Sequence, residues 1–304
     1  MVIASGRKTR RIRLSHSDKV FYTLVVILLT ILFLSVLYPI IFVIAASFSN
    51  GQKVSSGKVV LWPVDPSLEG YSAVFNHKRV YSGFYNTVKY TLLGTVINVV
   101  ICMMCAYPMS RRDLPGRNIF MFVFTFTMYF GGGMIPNYIL MRDLHILDST
   151  WVMILPGALS VYNMILARTY IQSSIPEELW EASLLDGCSD IRYLVRIVLP
   201  LSKAIIAVVA MYSAVGHWNS YFNAMLYIDS AEKQPLQIIL REILLANQFD
   251  PSMFTDPELQ AAKAYLADVL KYALIVVSTV PILCVYPFVQ KYFIQGVMIG
   301  SLKG

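Results

Sequence analysis

Charged residues are scarce in this chain. Only 14% of its 304 residues are Asp, Glu, Lys or Arg, against about 25% in an average soluble domain. Hydrophobic residues make up 57% of the chain, and the mean hydropathy is +0.60. This composition predicts an all-α, polytopic membrane protein rather than a large soluble domain.

The motifs of the common catalytic sites are also missing. No Gly-x-x-x-x-Gly-Lys-Ser/Thr occurs, so the chain cannot hydrolyse ATP by the P-loop route. There is no His-Glu-x-x-His and no Gly-x-Ser-x-Gly, and the apolar segments hold almost no acidic residue or histidine. A membrane enzyme or a proton-coupled carrier would need such groups within its spans. We therefore predict a chain that is not an enzyme, with no catalytic residue, no metal ligand and no cofactor of its own.

Cysteines are few and scattered. The chain has four, and Cys188 falls in a loop that we place in the cytosol, which argues against a disulfide framework. Cys102 and Cys105 form a Cys-x-x-Cys pair inside an apolar segment, with no second pair and no histidine beside them. We interpret them as two small apolar residues on one face of a helix.

The net charge of +7 comes without a basic stripe interleaved with aromatic residues, so no nucleic-acid partner is indicated. Enrichment of Lys and Arg in cytosolic loops explains it more simply, with membrane lipid as the surroundings. Residues 1–19 form a basic segment that we place in the cytosol. The apolar run 20–46 that follows is too long for a cleaved signal peptide and predicts a first transmembrane helix, with cleavage after 45–47 as the alternative.

Hydropathy predicts six transmembrane helices with both termini in the cytosol. The spans are 20–46, 84–107, 118–134, 151–171, 204 to about 221–227, and 269–288. Segments 47–83, 136–150 and 228–268 are then external. The basic loop 111–117 and the loop 172–203 are cytosolic.

Loop 172–203 is rich in charge and yet has strong helix signals. Ser174 and Glu177 have the spacing of a capping box, with Pro176 in the first turn, and Gly187 is suited to end the helix. A second short helix is predicted to begin at 189 or 190 and to end at Pro200. Two short helices with a polar face beside the membrane suit docking to a soluble partner.

The same loop resembles a known family. Glu181-Ala182-Ser183, then Gly187, then Ile197-x-Leu199-Pro200 resembles the EAA loop of ABC-importer permeases. The flanking residues 175–182 and Asp186-Gly187 resemble the carbohydrate (maltose-type) branch. Residues 131–136 and the tail 290–304 lean towards the group that imports oligosaccharides, including polygalacturonan-derived glycans. The resemblance covers most of residues 70–304, which we take as the permease domain.

This resemblance implies a permease subunit of an ATP-driven, binding-protein-dependent sugar importer in the bacterial plasma membrane. Its implied partners are a second homologous permease, two ATP-binding-cassette ATPases that carry ATP and Mg, and an extracytoplasmic solute-binding protein. The helix of loop 172–203 would seat in a groove of an ATPase. The residues assigned to this coupling are Glu177, Glu178, Leu179, Glu181, Ala182, Ser183, Asp186, Gly187, Leu199 and Pro200.

Two weaker sets of site residues complete the prediction. Aromatic rings beside amides suit the apolar faces and hydroxyl edges of sugars, which favours a substrate pathway at Trp218, Asn219, Tyr221 and Asn223. An interfacial aromatic belt is the alternative. In the maltose-type systems a tail of this pattern reaches the ATPase interface, which implies contacts at Gly296, Gly300 and Lys303; a frayed, solvated terminus is the alternative.

The sequence is also compatible with two other functions. One is a permease of an amino-acid or peptide ABC importer. The other is an integral membrane enzyme that acts on lipid-linked sugar. The sequence names neither the sugar nor the partner ATPase, and one permease could pair with itself.

Overall fold

The computed structural model describes residues 15–246, 265, 268–285, 287 and 290. Within these residues the regular structure is helical, and one isolated bridge joins Ser49 to Pro66. In the first half of the chain the α-helices are α1 His16–Ser47, α2 Gly51–Ser55, α3 Glu69–Asn76, α4 Lys78–Ser110, α5 Arg117–Tyr129, α6 Met134–Asp143 and α7 Thr150–Ile154. The second half contains α8 Val161–Ser174, α9 Glu177–Leu185, α10 Asp190–Tyr193, α11 Leu199–Leu201, α12 Lys203–Trp218, α13 Tyr221–Tyr227, α14 Leu236–Ala246 and α15 Asp268–Val285. Three-residue 3-10 turns follow α7 and precede α14, and a π-helical turn, Leu194–Val198, joins α10 to α11.

The first helix, α1, makes few contacts with the rest of the chain. It begins at His16, four residues before the predicted span, where the Asp18 carboxylate accepts a hydrogen bond from the Ser15 N–H. Its apolar side chains are exposed along its length, and the residues it buries are Ala45, Ala46 and Ser47 at its end. An apolar surface of this kind suits lipid or another subunit.

The core of the chain is built around α4. This helix packs on α12, α8 and α14 and buries residues from Val80 to Met109 along its length. It begins at Lys78, six residues before the predicted span, because its polar first turns find partners inside the chain. At Gly94 the ring of His217 from α12 fills the space that a Cβ would occupy, so the two helices approach closely there. Cys102 is fully buried in the cluster that these helices form with Met164 and Val209.

In the described part of the chain, three helices are long and apolar enough to cross a membrane without a break: α1, α4 and α15. Three further pairs meet the same criterion only when two bent helices are taken together. The bends are 110° between α5 and α6, 48° between Thr150–Gly157 and α8, and 82° between Asp190–Leu201 and α12. The predicted count of six therefore depends on these three broken segments.

Several predicted boundaries are wrong, and in each case a local break explains the difference. The third span was expected to end near 134, with a turn or close-packing site at 131–133; α5 ends earlier, at Tyr129, and Gly133 adopts a left-handed φ of 88°. The segment 136–150 was predicted to be a loop with a short amphipathic stretch at 138–147, and the helix found there, α6, lies earlier, at Met134–Asp143. The fourth span is interrupted by the 3-10 turn Leu155–Gly157, where Pro156 lacks an N–H. The fifth helix ends at Trp218, before 221–227.

Candidate coupling site

The loop 172–203 contains the two short helices that its sequence predicts, but the first begins differently. Ser174 is the last residue of α8 and does not cap α9. Ile175 and Pro176 are both extended. Pro176 disfavours a helical backbone at the residue before it, which is Ile175. Helix α9 therefore begins at Glu177 with Pro176 at its N-cap, and the predicted capping box is wrong.

The end of α9 is a Schellman turn centred on Gly187. Gly187 has φ 67°, and its N–H donates to the Leu184 carbonyl at 3.0 Å. The N–H of Cys188 donates to the Ser183 carbonyl at 2.9 Å. This pair of bonds satisfies the last carbonyls of the helix, and the left-handed φ favours glycine. The sequence prediction that Gly187 ends the helix is confirmed.

One face of α9 packs on its own chain. Ser183 is 5% exposed, and its hydroxyl donates to the Trp180 carbonyl at 2.7 Å. The Trp180 ring meets Tyr193 of α10 edge-on, with 4.9 Å between centroids. Tyr193 is buried and lies 6.1 Å from the ring of Tyr107 in α4. An aromatic stack thus connects α9 to α4 through α10.

Arg111 packs on the Trp180 ring at one end of this aromatic stack. Its guanidinium carbon lies 3.5 Å from the centre of the Trp180 ring, a cation–π contact. The same guanidinium forms an ion pair with Asp113, and this hydrogen bond from Arg111 lowers the pKa of the Asp113 carboxyl. Sequence reasoning missed Trp180, Arg111 and Tyr193, because they lie outside the EAA pattern and meet only in the folded chain.

Polar side chains fix the helix ends around the loop. The Tyr107 hydroxyl donates to Asp190 Oδ1 at 3.2 Å. From α8, Arg168 Nε donates to the Met109 carbonyl at 2.8 Å and Gln172 Nε2 to the Ser110 carbonyl at 3.0 Å. The last carbonyls of α4 therefore receive donors from α8, and the two helices end in register beside α9.

The opposite face of α9 is free within the described chain. Glu178, Glu181, Ala182 and Leu185 have the spacing of one helical stripe, and all four are exposed. Leu185 is the most prominent, with 91% of its surface accessible. We call these four residues the outward stripe. Its two carboxylates, one small residue and one exposed leucine suit the docking of another protein.

The remaining residues assigned to coupling lie around this stripe. Leu179 and Asp186 are exposed, and Glu177 pairs with Arg112 at 3.4 Å on the surface. The second short helix continues through Pro200 and ends at Leu201, because Leu199 and Pro200 form the first turn of α11. It therefore ends one residue beyond the predicted break at Pro200, and the 82° bend follows it. A role in coupling stays a prediction for every residue of the set.

The structure separates the four residues predicted for the substrate pathway. Trp218 is buried, and its indole N–H donates to the Ser278 carbonyl of α15 at 2.9 Å. Asn219 caps its own helix by donating to the Val215 carbonyl at 2.9 Å. Tyr221 lies 5.0 Å from the guanidinium of Arg241, and Asn223 is exposed. Trp218 thus packs between helices, while the other three lie nearer the surface; contact with substrate stays a prediction for all four.

A polar network at the other end of α4 was also missed. Asp148 has φ 50° and accepts hydrogen bonds from the backbone N–H groups of Asp229 and Ser230, the Ser230 hydroxyl and Lys233 Nζ. Burial alone would raise the pKa of Asp148, but the bonds from Lys233 and Ser230 outweigh it and hold this pKa well below its ordinary value.

From α4, Asn86 donates to the Glu232 carbonyl at 2.7 Å and the Tyr90 hydroxyl to the Lys233 carbonyl at 2.8 Å. We call the contacts of Asp148, Asn86 and Tyr90 with residues 229–233 the Asp148 network. The predicted tail contacts Gly296, Gly300 and Lys303 lie outside the described residues.

Comparison with known proteins decides the family. No model of a known protein family matches the chain. A polygalacturonan/rhamnogalacturonan transport system permease protein, YtcP of Bacillus subtilis, is 40% identical over 269 residues, which cover 88% of this chain and 92% of that protein. The chain belongs to the permeases of sugar ABC importers.

Other relatives agree with this family. The protein LplC of Bacillus subtilis is 37% identical over 88% of this chain and 89% of its own length. The crystal structure of a bacterial ABC transporter involved in the import of the acidic polysaccharide alginate contains a chain that superposes with a TM-score of 0.83 at 36% identity, covering 93% of this chain and 99% of that one. The permease is thus a bacterial membrane transport subunit for sugars or oligosaccharides. The amino-acid, peptide and lipid-linked-sugar alternatives are not favoured.

Proposed function

We propose that the permease forms half of the translocation pathway of an oligosaccharide importer and receives force from an ATPase through α9. The observation that carries this proposal is the two-sided character of α9. Its Trp180–Ser183 face is fixed to the chain, while the outward stripe has no partner among the described residues. A helix held in this way transmits the displacement of whatever binds its free face.

The proposed assembly follows from the absence of a nucleotide-binding motif in the sequence. Two ATPase subunits bind ATP and Mg, a second homologous permease completes the pathway, and an extracytoplasmic binding protein delivers the sugar. The chain crosses the bacterial plasma membrane six times with both ends in the cytosol. The basic loop 111–117 supports this orientation, because Arg111, Arg112 and Arg117 lie at the same end of the bundle as α9.

For the cargo we propose an acidic oligosaccharide. Two relatives support this class: one is a polygalacturonan/rhamnogalacturonan permease, and another belongs to a transporter of the acidic polysaccharide alginate. Proteoliposomes of the importer with its binding protein should accumulate oligogalacturonate in an ATP-dependent manner. Preferential uptake of a neutral maltooligosaccharide would contradict this choice of cargo without affecting the family.

Cysteine cross-linking tests the coupling role of α9. In a background without the four native cysteines, a cysteine at Leu185 should cross-link to the ATPase, because this side chain is fully outward. The matched control is Ser183→Cys, two residues away on the same helix but only 5% exposed, which should not cross-link. Labelling of the Leu185 cysteine by an impermeant reagent from outside the cell would overturn the orientation.

Uptake measurements separate coupling from solute binding. Glu181→Ala and Gly187→Val should abolish ATP-driven uptake, because the first removes a carboxylate from the outward stripe and the second opposes the left-handed turn. The affinity of the binding protein for its solute should stay unchanged. Uptake at the wild-type rate in both variants would rule out coupling through α9.

A further inference from the structure

A cavity rich in arginine lies beside the coupling site. Its volume is about 670 Å³, and its lining includes Arg111, Arg112, Arg117 and Arg168 together with Glu177 and Glu178. The residues that line it come from the end of α4, the start of α5, the end of α8, the start of α9, α10 and the π-helical turn. A cavity of this size accommodates a small ligand.

The charges around this cavity do not balance. Arg111 pairs with Asp113, and Arg112 pairs with Glu177. Arg117 and Arg168, both half-buried, donate to the backbone carbonyls of Arg111 and Met109 instead. Neither has an acidic partner within the described part of the chain. Four arginines and two glutamates line the cavity, so its lining carries a net positive charge. This charge favours an anion, and the planar N–H forks of the guanidinium groups match the oxygens of phosphate.

The adjacent helix indicates where that phosphate comes from. Helix α5 starts at Arg117 and buries none of its 13 residues. Eight of these 13 side chains are Ile, Phe, Met or Val, and Ile119 and Phe122 are each 69% exposed. Because Arg117 lines the cavity and begins α5, a phosphate in the cavity would lie beside the first turn of α5, whose apolar surface suits acyl chains. A free anion would use the arginines but not α5.

We propose that this cavity binds the phosphate group of an anionic phospholipid, whose acyl chains lie along α5. The site is formed by Arg117 and Arg168, with Arg111 and Arg112 at its edge. Basic cavities between helices at the cytosolic surface are suited to lipid headgroups. The proposal rests on the proposed function in one respect: both place the end of α4 beside α9 in the cytosol. It depends neither on the cargo nor on docking to the ATPase.

Native mass spectrometry of the assembled importer tests this site. The importer is reconstituted in phosphatidylcholine nanodiscs doped with phosphatidylglycerol, and the phosphatidylglycerol that stays bound after extraction is measured. The variants are Arg117→Gln, Arg168→Gln and the double change. We expect retention to fall about fivefold for each arginine removed. The double change to Lys should retain more lipid than the double change to Gln, because it keeps the charge.

The matched control removes the same charge from the same end of the molecule. Arg192 and Arg196 are exposed and lie outside the cavity lining, so Arg192→Gln/Arg196→Gln should retain the wild-type amount of lipid. Equal retention by the wild type and by the Arg117/Arg168 Gln variants would overturn the proposal. If the double variant fails to assemble, the two single variants give the same comparison.

A second arm separates lipid from a free anion. Inorganic phosphate is added to the importer in nanodiscs of phosphatidylcholine alone, and its binding is measured for the wild type and the Gln variants. Weak phosphate binding beside strong retention of phosphatidylglycerol is the expected result. Arginine-dependent phosphate binding with no selective retention of phosphatidylglycerol would overturn the lipid assignment. ATP-driven uptake by the same variants is followed in parallel, so loss of the lipid site and failure of the proposed function are distinguishable.

Discussion

The two ends of α4 are held by different kinds of contact. At its start, the Asp148 network consists of directional hydrogen bonds between side chains and the backbone of residues 229–233. At its end, α9 is attached through the ring of Trp180, which lies between Arg111 and Tyr193, and through one exposed ion pair. Among the described residues, no hydrogen bond joins α9 to another helix.

This difference separates a fixed end from an adjustable one. Several short hydrogen bonds to an ionised carboxylate lose energy steeply when their geometry changes. Edge-on ring contacts and cation–π contacts tolerate small rotations better, because their attraction is spread over a face. In the proposed function, α9 would have to follow a moving partner while the opposite end of α4 stays in place. The contacts at each end suit these two tasks.

Loss of the Asp148 carboxylate should have the largest effect on stability. Asp148→Ala leaves four donors without their acceptor, and we expect a loss of about 3 kcal/mol, since hydrogen bonds to charged groups contribute roughly 1.5–3 kcal/mol each and are not additive. Thermal unfolding of the purified importer measures this loss. Asp143→Ala is the control, because within the described residues Asp143 pairs with its exposed neighbour Arg142 alone. Equal effects of the two variants would show that the network does not fix this end.

Truncation of Trp180 should reduce stability less than Asp148→Ala does, but it should reduce uptake more. Trp180→Ala removes one cation–π contact and one ring pair, about 2 kcal/mol together. We expect ATP-driven uptake to drop sharply, because α9 loses its attachment to α4. Trp180→Phe keeps a ring against Tyr193 and should recover most of the uptake. If Ala and Phe behave alike in both measurements, the ring stack does not connect α9 to the membrane helices.

A change at the turn after α9 should be smaller still. Gly187→Ala imposes a left-handed φ on a residue with a Cβ, at a cost of about 1 kcal/mol. Gly216→Ala is the matched control, because Gly216 lies inside α12 and a Cβ added there would meet no atom of the described chain within 4 Å apart from the helix backbone beside it. Thermal unfolding should show a loss for the first variant and none for the second. A loss of the same size in both would indicate that the turn is not under conformational constraint.

The smallest effect concerns pH. The pKa of Asp148 is lower in the folded protein than its value of about 3.9 in an unfolded chain. Its contribution to stability is therefore complete above about pH 5 and is lost only as the pH falls below about 4. The difference in unfolding temperature between the wild type and Asp148→Asn should stay constant from about pH 8 to 5 and then shrink. A decrease between pH 8 and 6 would mean that another group titrates in the network.

Local signals predicted part of the coupling site correctly. Gly187 was identified from its place after an acidic helix, and the structure gives it the left-handed turn expected there. The start of α9 was predicted wrongly, because the Ser174–Glu177 spacing of a capping box ignored the extended backbone that Pro176 imposes. Short-range rules succeed where one residue decides the backbone, and they fail where two rules compete.

The long apolar runs of the sequence determined that this protein crosses a membrane, and the spaced residues of loop 172–203 determined its family. The tertiary structure alone decided which residues hold the two ends of α4. Arg111 meets Trp180, and Asp148 meets Lys233, across 69 and 85 positions of the chain. Hydropathy and short motifs describe neighbours along the chain, whereas these contacts exist only after the helices have packed.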